Sequence, residues 1–145
     1  MTSKIEISKL HDAVICNEED SVLEISRIMR DTRKRHILVI DAHLKLLGVI
    51  SAFDINNRVV AEEREPKKIM AKDIMTKPIE TIDINSTYEQ ACEKMVEREL
   101  HTIPVTKDGK LVGILDLSLI FRNHTGDGKW ASEIFLRKCL LQGKV

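Results

Sequence analysis

Aromatic side chains are nearly missing: one Trp, one Tyr and three Phe make up 3% of the chain. A core must therefore be built from Ile, Leu, Val and Met. The stacking platforms that hold single-stranded nucleic acid are scarce for the same reason. Net charge is missing too, because 23 basic and 23 acidic residues cancel. That removes the basic footprint of a dedicated nucleic-acid binder, although Arg33-Lys34-Arg35 and Lys67-Lys68 remain as local basic runs. The three cysteines, Cys16, Cys92 and Cys139, have no CxxC spacing. This argues against a zinc site or a disulfide framework and for a reducing compartment. No apolar run approaches the ~18 residues of a membrane span, and no signal-peptide core follows Met1-Thr2-Ser3-Lys4. A soluble, cytoplasmic protein is expected. There is no Gly-rich phosphate loop, no metal-ligand cluster and no nucleophile at motif spacing from a base, so catalytic residues, a metal and an obligatory cofactor are not expected.

What the chain does have is a repeat. Val39-Ile40-Asp41 through Gly48-Val49-Ile50-Ser51 recurs as Val105-Thr106-Lys107 through Gly113-Ile114-Leu115-Asp116. Upstream, Ser21-x-x-Glu24 and Met29 recur as Thr87-x-x-Gln90 and Met95, a shift of 66 positions. A repeat of this length dictates architecture before any other signal is weighed. With 43% hydrophobic residues in 145 there is enough apolar material for a core, in one compact domain or two small interlocked ones.

Each repeat reads strand, helix, strand, strand, helix. In the first, Ala13–Cys16 is a short apolar run. Ser21 and Glu24 form a capping box, and Val22, Ile25, Ile28 and Met29 follow at helical spacing. Ile37–Ile40 is continuous and β-branched, as a strand buried on both faces would be. Leu46–Ser51 is its hairpin partner, and Asp54 through Val60 closes the unit. In the second, Thr81–Ile84 opens, Thr87 and Gln90 cap, and Tyr88, Ala91, Cys92 and Met95 form the apolar stripe. Thr102–Thr106 carries Pro104, which cannot donate to a ladder, so an unpaired edge is expected there. Asp108-Gly109 signals the hairpin, Leu111–Leu115 completes it, and Leu117–Arg122 starts a helix. The expected organisation is repeat one over 1–60, an exposed charged linker over 61–72, repeat two over 73–122, and a loop with an amphipathic tail helix over 123–145. The fold class is mixed α/β (α+β), two β-α-β-β-α repeats packed with pseudo-twofold symmetry.

Chemistry concentrates at one strand end. Ser51 closes a hairpin strand and Asp54 follows in the first turn of a helix. That spacing gathers a hydroxyl, free helix N–H groups and a carboxylate near one point. The first two suit a phosphate, and the carboxylate can accept from two adjacent hydroxyls, as on a ribose. Read by itself, the same spacing also describes an ordinary helix start, where Asp favours the dipole.

The ordered set of Ile74-Met75-Thr76, Ile103-Pro104-Val105 and Gly48 through Asp54, inside paired β-α-β-β-α units, resembles the cystathionine-β-synthase (CBS) domain, and its tandem arrangement the Bateman module. The resemblance covers His11 to Arg122. It implies a compact pair that binds adenine nucleotides, AMP, ADP or ATP, or else S-adenosylmethionine or a related adenosyl compound, in clefts between the repeats, and that dimerises further into a disc. Carried over by position, Ser51 meets phosphate and Asp54 holds the ribose, while Arg35 and His36 face the phosphates, with their roles open to exchange. Thr76, Ile79 and Thr81 line the adenine from the lead-in of repeat two, opposite Leu100, His101 and Pro104. In the second cleft Asp116 stands where the family has Ser or Thr, and Leu119 stands where it has the ribose Asp. A carboxylate repels phosphate and a leucine accepts nothing, so one good site per chain is expected.

The leading expectation is a free-standing regulatory module, not an enzyme. It would sense adenine-nucleotide status and act on a separate, unidentified protein partner or through the tail helix, as a homodimer and without a membrane. The alternatives are an adenosyl-compound binder, or a nucleic-acid-binding or interaction scaffold using the basic runs.

Overall fold

The computed structural model describes residues 3–123. The expected tail helix and the loop before it, from residue 124 on, lie outside the described residues. The chain divides into two compact units that are interleaved along the sequence. One, here the repeat-one unit, is Ala13–Ile79 with Gly109–Leu111. The other, the repeat-two unit, combines, among the described residues, the stretch up to Asp12 with Glu80–Asp108 and residues 112–123.

The repeat-one unit carries β1 (Ile15–Asn17), α1 (Val22–Thr32), β2 (His36–Ile40), β3 (Leu46–Ser51), α2 (Ala52–Ile55) and α3 (Ala71–Ile74). Its sheet has the order β1-β2-β3, with β1 parallel and β3 antiparallel to the central β2. Val22, Ile25 and Met29, at helical spacing on α1, pack with Ile37, Val39 and Ile50 from one face of the sheet. Burial on both faces of β2 is as its continuous apolar run requires: Ile37 through Ile40 are all buried. Ser21 Oγ accepts from Glu24 N (3.2 Å), but Ser21 makes only this half of the expected capping box. After α2 the chain does not continue as a regular α-helix. Asn56–Val60 widens to π geometry, with Ala61 N donating to Asn56 O (2.8 Å) and Arg64 N to Val59 O (2.9 Å). The stretch read as an exposed linker is exposed only in part. Ile69 and Ala71 are buried in the repeat-one core, because Ala71 N and Val22 N bond to Asp20 O and Ile69 O and draw the segment against the start of α1.

The repeat-two unit carries β4 (Ile82–Asp83), α4 (Tyr88–Glu97), β5 (Thr102–Lys107), most of β6 (Lys110–Asp116) and α5 (Leu117–Asn123), with sheet order β4-β5-β6. Its core holds the whole expected stripe, Tyr88, Ala91, Cys92 and Met95. Here the capping box is complete: Gln90 N donates to Thr87 Oγ1 (3.2 Å) and Thr87 N to Gln90 Oε1 (3.0 Å). Pro104 accounts for the shortness of β4. In repeat one, Leu38 N donates to Val14 O (2.9 Å) at the foot of the parallel ladder. Pro104 occupies the matching place 66 residues on and has no N–H to give. Pairing therefore begins one step later, at Ile82 with Val105.

Each unit is completed by a lead-in segment laid against its last strand. In the repeat-one unit Thr76 and Val49 exchange both main-chain bonds (2.8 and 3.0 Å). In the repeat-two unit His11 and Ile114 do the same (2.9 Å each). The residue just before each of these strand positions is a glycine. A Cβ on Gly48 would stand 2.7 Å from Met75 Sδ, and one on Gly113 would stand 2.7 Å from Leu10 Cβ and 3.2 Å from His11 O. Close approach of the lead-in segment, through Met75 at one crossing and Leu10 and His11 at the other, is thus the reason for the two glycines in the repeated motif. Gly48→Ala and Gly113→Ala should each lose about 1–3 kcal/mol by overpacking. Gly113→Ala should be the worse of the two, since its closest contact is Leu10 Cβ at 2.7 Å with His11 O at 3.2 Å, whereas at Gly48 the closest contact is the more flexible Met75 Sδ. Urea unfolding of the two variants checks both the size and the order.

Candidate functional site

Ser51 ends β3 in extended conformation (φ −101°, ψ 160°) and caps α2. Its Oγ accepts from Asp54 N (3.0 Å), and Asp54 Oδ2 accepts from Ser51 N (2.9 Å). The two residues singled out for ligand chemistry are thus held together as a reciprocal capping box. The arrangement fixes the Asp54 rotamer without using all its valence. The Ser51 hydroxyl still has its proton to donate, and Asp54 Oδ1 keeps its lone pairs. The nearest cation to Oδ1 is Arg58 Nη2, at 4.0 Å.

Arg58 was not foreseen. It lies on the π turn, one helical turn beyond Asp54, and its Nη1 donates to Ile74 O (2.6 Å), with Met75 O farther off (3.5 Å). It therefore ties the carboxylate-bearing helix to the lead-in segment just before Thr76. The i, i+4 acid–base spacing was the available signal.

Strand register sorts the other candidates by face. Directly opposed residues in an antiparallel pair share a face, and alternate residues on one strand do too. His36 is opposite Ser51, Thr76 is opposite Val49, and Val49 and Ser51 are two apart. His36, Ser51 and Thr76 therefore sit on one face of the repeat-one sheet, while Ile37, Val39 and Ile50 take the other face, toward the core. Arg35 does not join His36. Its carbonyl accepts from Ala52 N (2.9 Å), and its side chain lines a cavity between α1 and α2. The sequence treated the two as neighbours with exchangeable roles; alternation at the strand start separates them. Ile79 belongs to the same unit and is half-buried, following a cis Lys77–Pro78 peptide.

The remaining candidates, Thr81, Leu100, His101 and Pro104, belong to the repeat-two unit. His101 O accepts from Leu117 N (2.9 Å), the counterpart of the Arg35–Ala52 bond, so His101 matches Arg35 and not His36. Thr81 O accepts from Lys94 Nζ (2.6 Å). Leu100 N donates to Met95 O at the end of α4 (2.7 Å), and Pro104 is buried within β5. At the place of Ser51, Asp116 Oδ1 accepts from Ser118 N (2.7 Å) and Ser118 Oγ (2.5 Å). At the place of Asp54, Leu119 packs against the repeat-two core.

Among the described residues, no group of three or more His, Cys, Asp and Glu could hold a metal, and no helix is long and apolar enough to cross a membrane. Cys16 and Cys92 are buried. Burial, then the nearby Asp20 charge, pushes the Cys16 thiol up to about 12. Burial, then Glu93 and Glu89, pushes Cys92 to about 11. Both thiols are core groups. Native protein at pH 8 should leave them unlabelled by iodoacetamide, and denaturant should expose them, which peptide mass spectrometry resolves site by site. The sign of the linkage follows: above pH 9, unfolding releases these protons, so stability falls as pH rises towards 12. Ser51→Ala should lose about 1 kcal/mol without any ligand, the usual cost of a lost N-cap, read by thermal unfolding.

Two segments of the chain, 5–61 and 71–124, match the CBS domain family. Among relatives, the uncharacterized protein YlbB of Bacillus subtilis is 29% identical over 136 residues, covering 91% of either chain. The uncharacterized protein MK0525 of Methanopyrus kandleri is 25% identical over 112 residues, 77% of this chain and 57% of its own. Across the first three curated relatives it matches, this chain spans between 20% and 57% of their length. Among solved structures, an uncharacterized conserved protein from Pyrococcus horikoshii superposes with a TM-score of 0.68 at 26% identity, over 85% of this chain and 94% of that one.

Proposed function

Given that the chain belongs to the CBS domain family and carries a pair of such domains, we propose that it is a regulatory module that binds an adenine nucleotide at the repeat-one unit and acts through another protein. CBS domain proteins are in general regulatory modules, and the paired architecture supports that coarser reading. The observation that carries the finer one is the asymmetry at the end of the third strand of each repeat. Repeat one has Ser51 and Asp54 locked in a defined geometry, whereas repeat two has Asp116 and Leu119.

In this reading the Asp54 carboxylate accepts the ribose hydroxyls and the Ser51 hydroxyl donates to a phosphate oxygen. His36 and Thr76, on the same sheet face, flank that position. Arg35 supplies charge from the helix side. S-adenosylmethionine, the alternative ligand, would use Asp54 in the same way but would bring a cation among Arg35 and its basic neighbours. Regulation would follow from differential affinity: a ligand shifts an equilibrium of arrangements or of homodimers by no more than the ratio of its affinities for the two states.

Isothermal titration of AMP, ADP, ATP and S-adenosylmethionine into the wild type and Asp54→Ala tests the reading. The expected result is saturable binding near one ligand per chain, lost in the variant. At 100 times its Kd the ligand should add about 2.7 kcal/mol of stability. If none of the four binds, Ser51 and Asp54 are a helix start and nothing more, and the protein is an interaction scaffold.

A further inference from the structure

The two ends of the Arg58 side chain reach two different parts of the repeat-one unit. Its Nη1 donates to the carbonyl of Ile74, the last residue of α3 (2.6 Å). Its Nη2 stands 4.0 Å from Asp54 Oδ1 on α2. The planar fork of a guanidinium can serve two such acceptors at once, which a lysine, as one point charge, does not. The turn that carries Arg58 is widened to π geometry over Asn56–Val60, and single π turns inside helices gather at functional sites. Arg64 Nη1 donates to Arg58 O (3.4 Å) and braces that turn. Among the described residues, no other cation lies within ion-pair distance of Asp54.

The second repeat shows what the crossing of lead-in and strand needs without this side chain. Beyond the central strand the repeats correspond at an offset of 65, so Asp54 and Arg58 answer to Leu119 and Asn123. Neither of those is charged. Yet His11 and Ile114 exchange both main-chain bonds (2.9 Å each), as Thr76 and Val49 do (2.8 and 3.0 Å). The lead-in segment therefore pairs with the last strand in the absence of an acid–base link. Pairing by itself does not call for Arg58, and the arginine stands only in the repeat that has the carboxylate.

We propose that Arg58 is a positioning residue for the repeat-one site. It fixes the Asp54 carboxylate and the lead-in residue Thr76 relative to each other, so that a ligand meets them as one preset pair. Ile74 lies two residues before Thr76, and the other oxygen of Asp54 holds the Ser51 N–H (2.9 Å). One side chain thus spans from the polar groups of α2 to those of the lead-in. Groups held in place before a ligand arrives spare it the loss of freedom on binding. The inference rests on the nucleotide reading for the identity of the ligand alone; the link stands on the distances and on the comparison of the two repeats.

The test uses the full chain as wild type, Asp54→Asn, Arg58→Met and the double variant, and reads amide hydrogen exchange at Thr76 and Val49 without any ligand. Asp54→Asn keeps an oxygen for the Ser51 N–H and removes the charge. It should speed exchange at Thr76 and Val49 about threefold, the modest size set by a pair in which Arg58 is half-exposed. Leu38, which donates to Val14 O on the other side of β2, should keep its wild-type rate. In the Arg58→Met background the same change should do nothing at Thr76 and Val49. No effect of Asp54→Asn, an equal effect in both backgrounds, or an equal change at Leu38 overturns the inference while leaving the nucleotide reading intact. Arg58→Lys replaces Arg58→Met in the cycle should the latter unfold. A second arm titrates AMP and ATP calorimetrically into the wild type, Arg58→Met and Arg58→Lys, well below their melting temperatures. Both variants should bind about threefold more weakly, the same coupling seen from the ligand's side. Unchanged affinity in Arg58→Met overturns the positioning role, because a purely structural contact leaves the folded protein's affinity alone. Full affinity in Arg58→Lys also overturns it, because charge alone would then suffice. Binding of neither nucleotide by the wild type overturns the nucleotide reading instead, and the exchange cycle still decides the link.

Discussion

At Gly48 and Gly113 the backbone of a strand is approached so closely that one added methyl group would collide with the segment lying across it, and that approach lets Thr76 and His11 exchange their main-chain bonds with Val49 and Ile114. Much else in each unit depends on this pairing. It covers the outer edge of the last strand, which would otherwise present unpaired N–H and C=O groups. It also sets where Thr76 stands relative to Ser51, and hence which polar groups share a face of the repeat-one sheet. Arg58 reinforces the same junction from the helix side, through the carbonyl of Ile74.

Most of the element order could be read from the chain because the repeat states it twice, and because buried runs such as Ile37–Ile40 and stripes such as Tyr88, Ala91, Cys92 and Met95 each have a single period. What could not be read was set by contacts distant in sequence. Ile69 and Ala71 sit in a charged stretch and look exposed until the main chain at Asp20 and Val22 captures it. Glu24 fits the capping-box pattern, yet Ser21 makes only half of the box. At the candidate site, Ser51 and Asp54 were legible because capping is local. The separation of Arg35 from His36 was not, since it turns on where β2 begins. The one-residue difference between the two hairpins blurred that point: the offset is 66 up to the central strand and 65 after it. Arg58 went unnoticed because its partner is a backbone carbonyl 16 residues away.

The two repeats have stayed alike where backbone geometry is at stake and have diverged where side-chain chemistry is. Both keep a glycine at the crossing, a polar cap on the first long helix and a left-handed residue at its end. They differ at Ser51 against Asp116, at Asp54 against Leu119, and at Arg33-Lys34-Arg35 against Glu99-Leu100-His101. Substitutions of the first kind would break the scaffold. Those of the second kind change the groups offered at the strand end, at a cost of about 1 kcal/mol where, as at Ser51, the side chain also caps a helix.

Interleaving also bears on how the chain is made. The N-terminal stretch pairs with partners far along the sequence; Glu6 and Tyr88, joined through the tyrosine hydroxyl, are 82 residues apart. As the polypeptide leaves the ribosome, these first residues emerge long before the strand that receives them. The repeat-one unit finds most of its contacts within a continuous span and is the natural early-folding piece. The repeat-two unit draws its N-terminal stretch and its last strand from opposite ends of that span, so its sheet edge is covered only after contacts distant in sequence have closed, at an entropic cost.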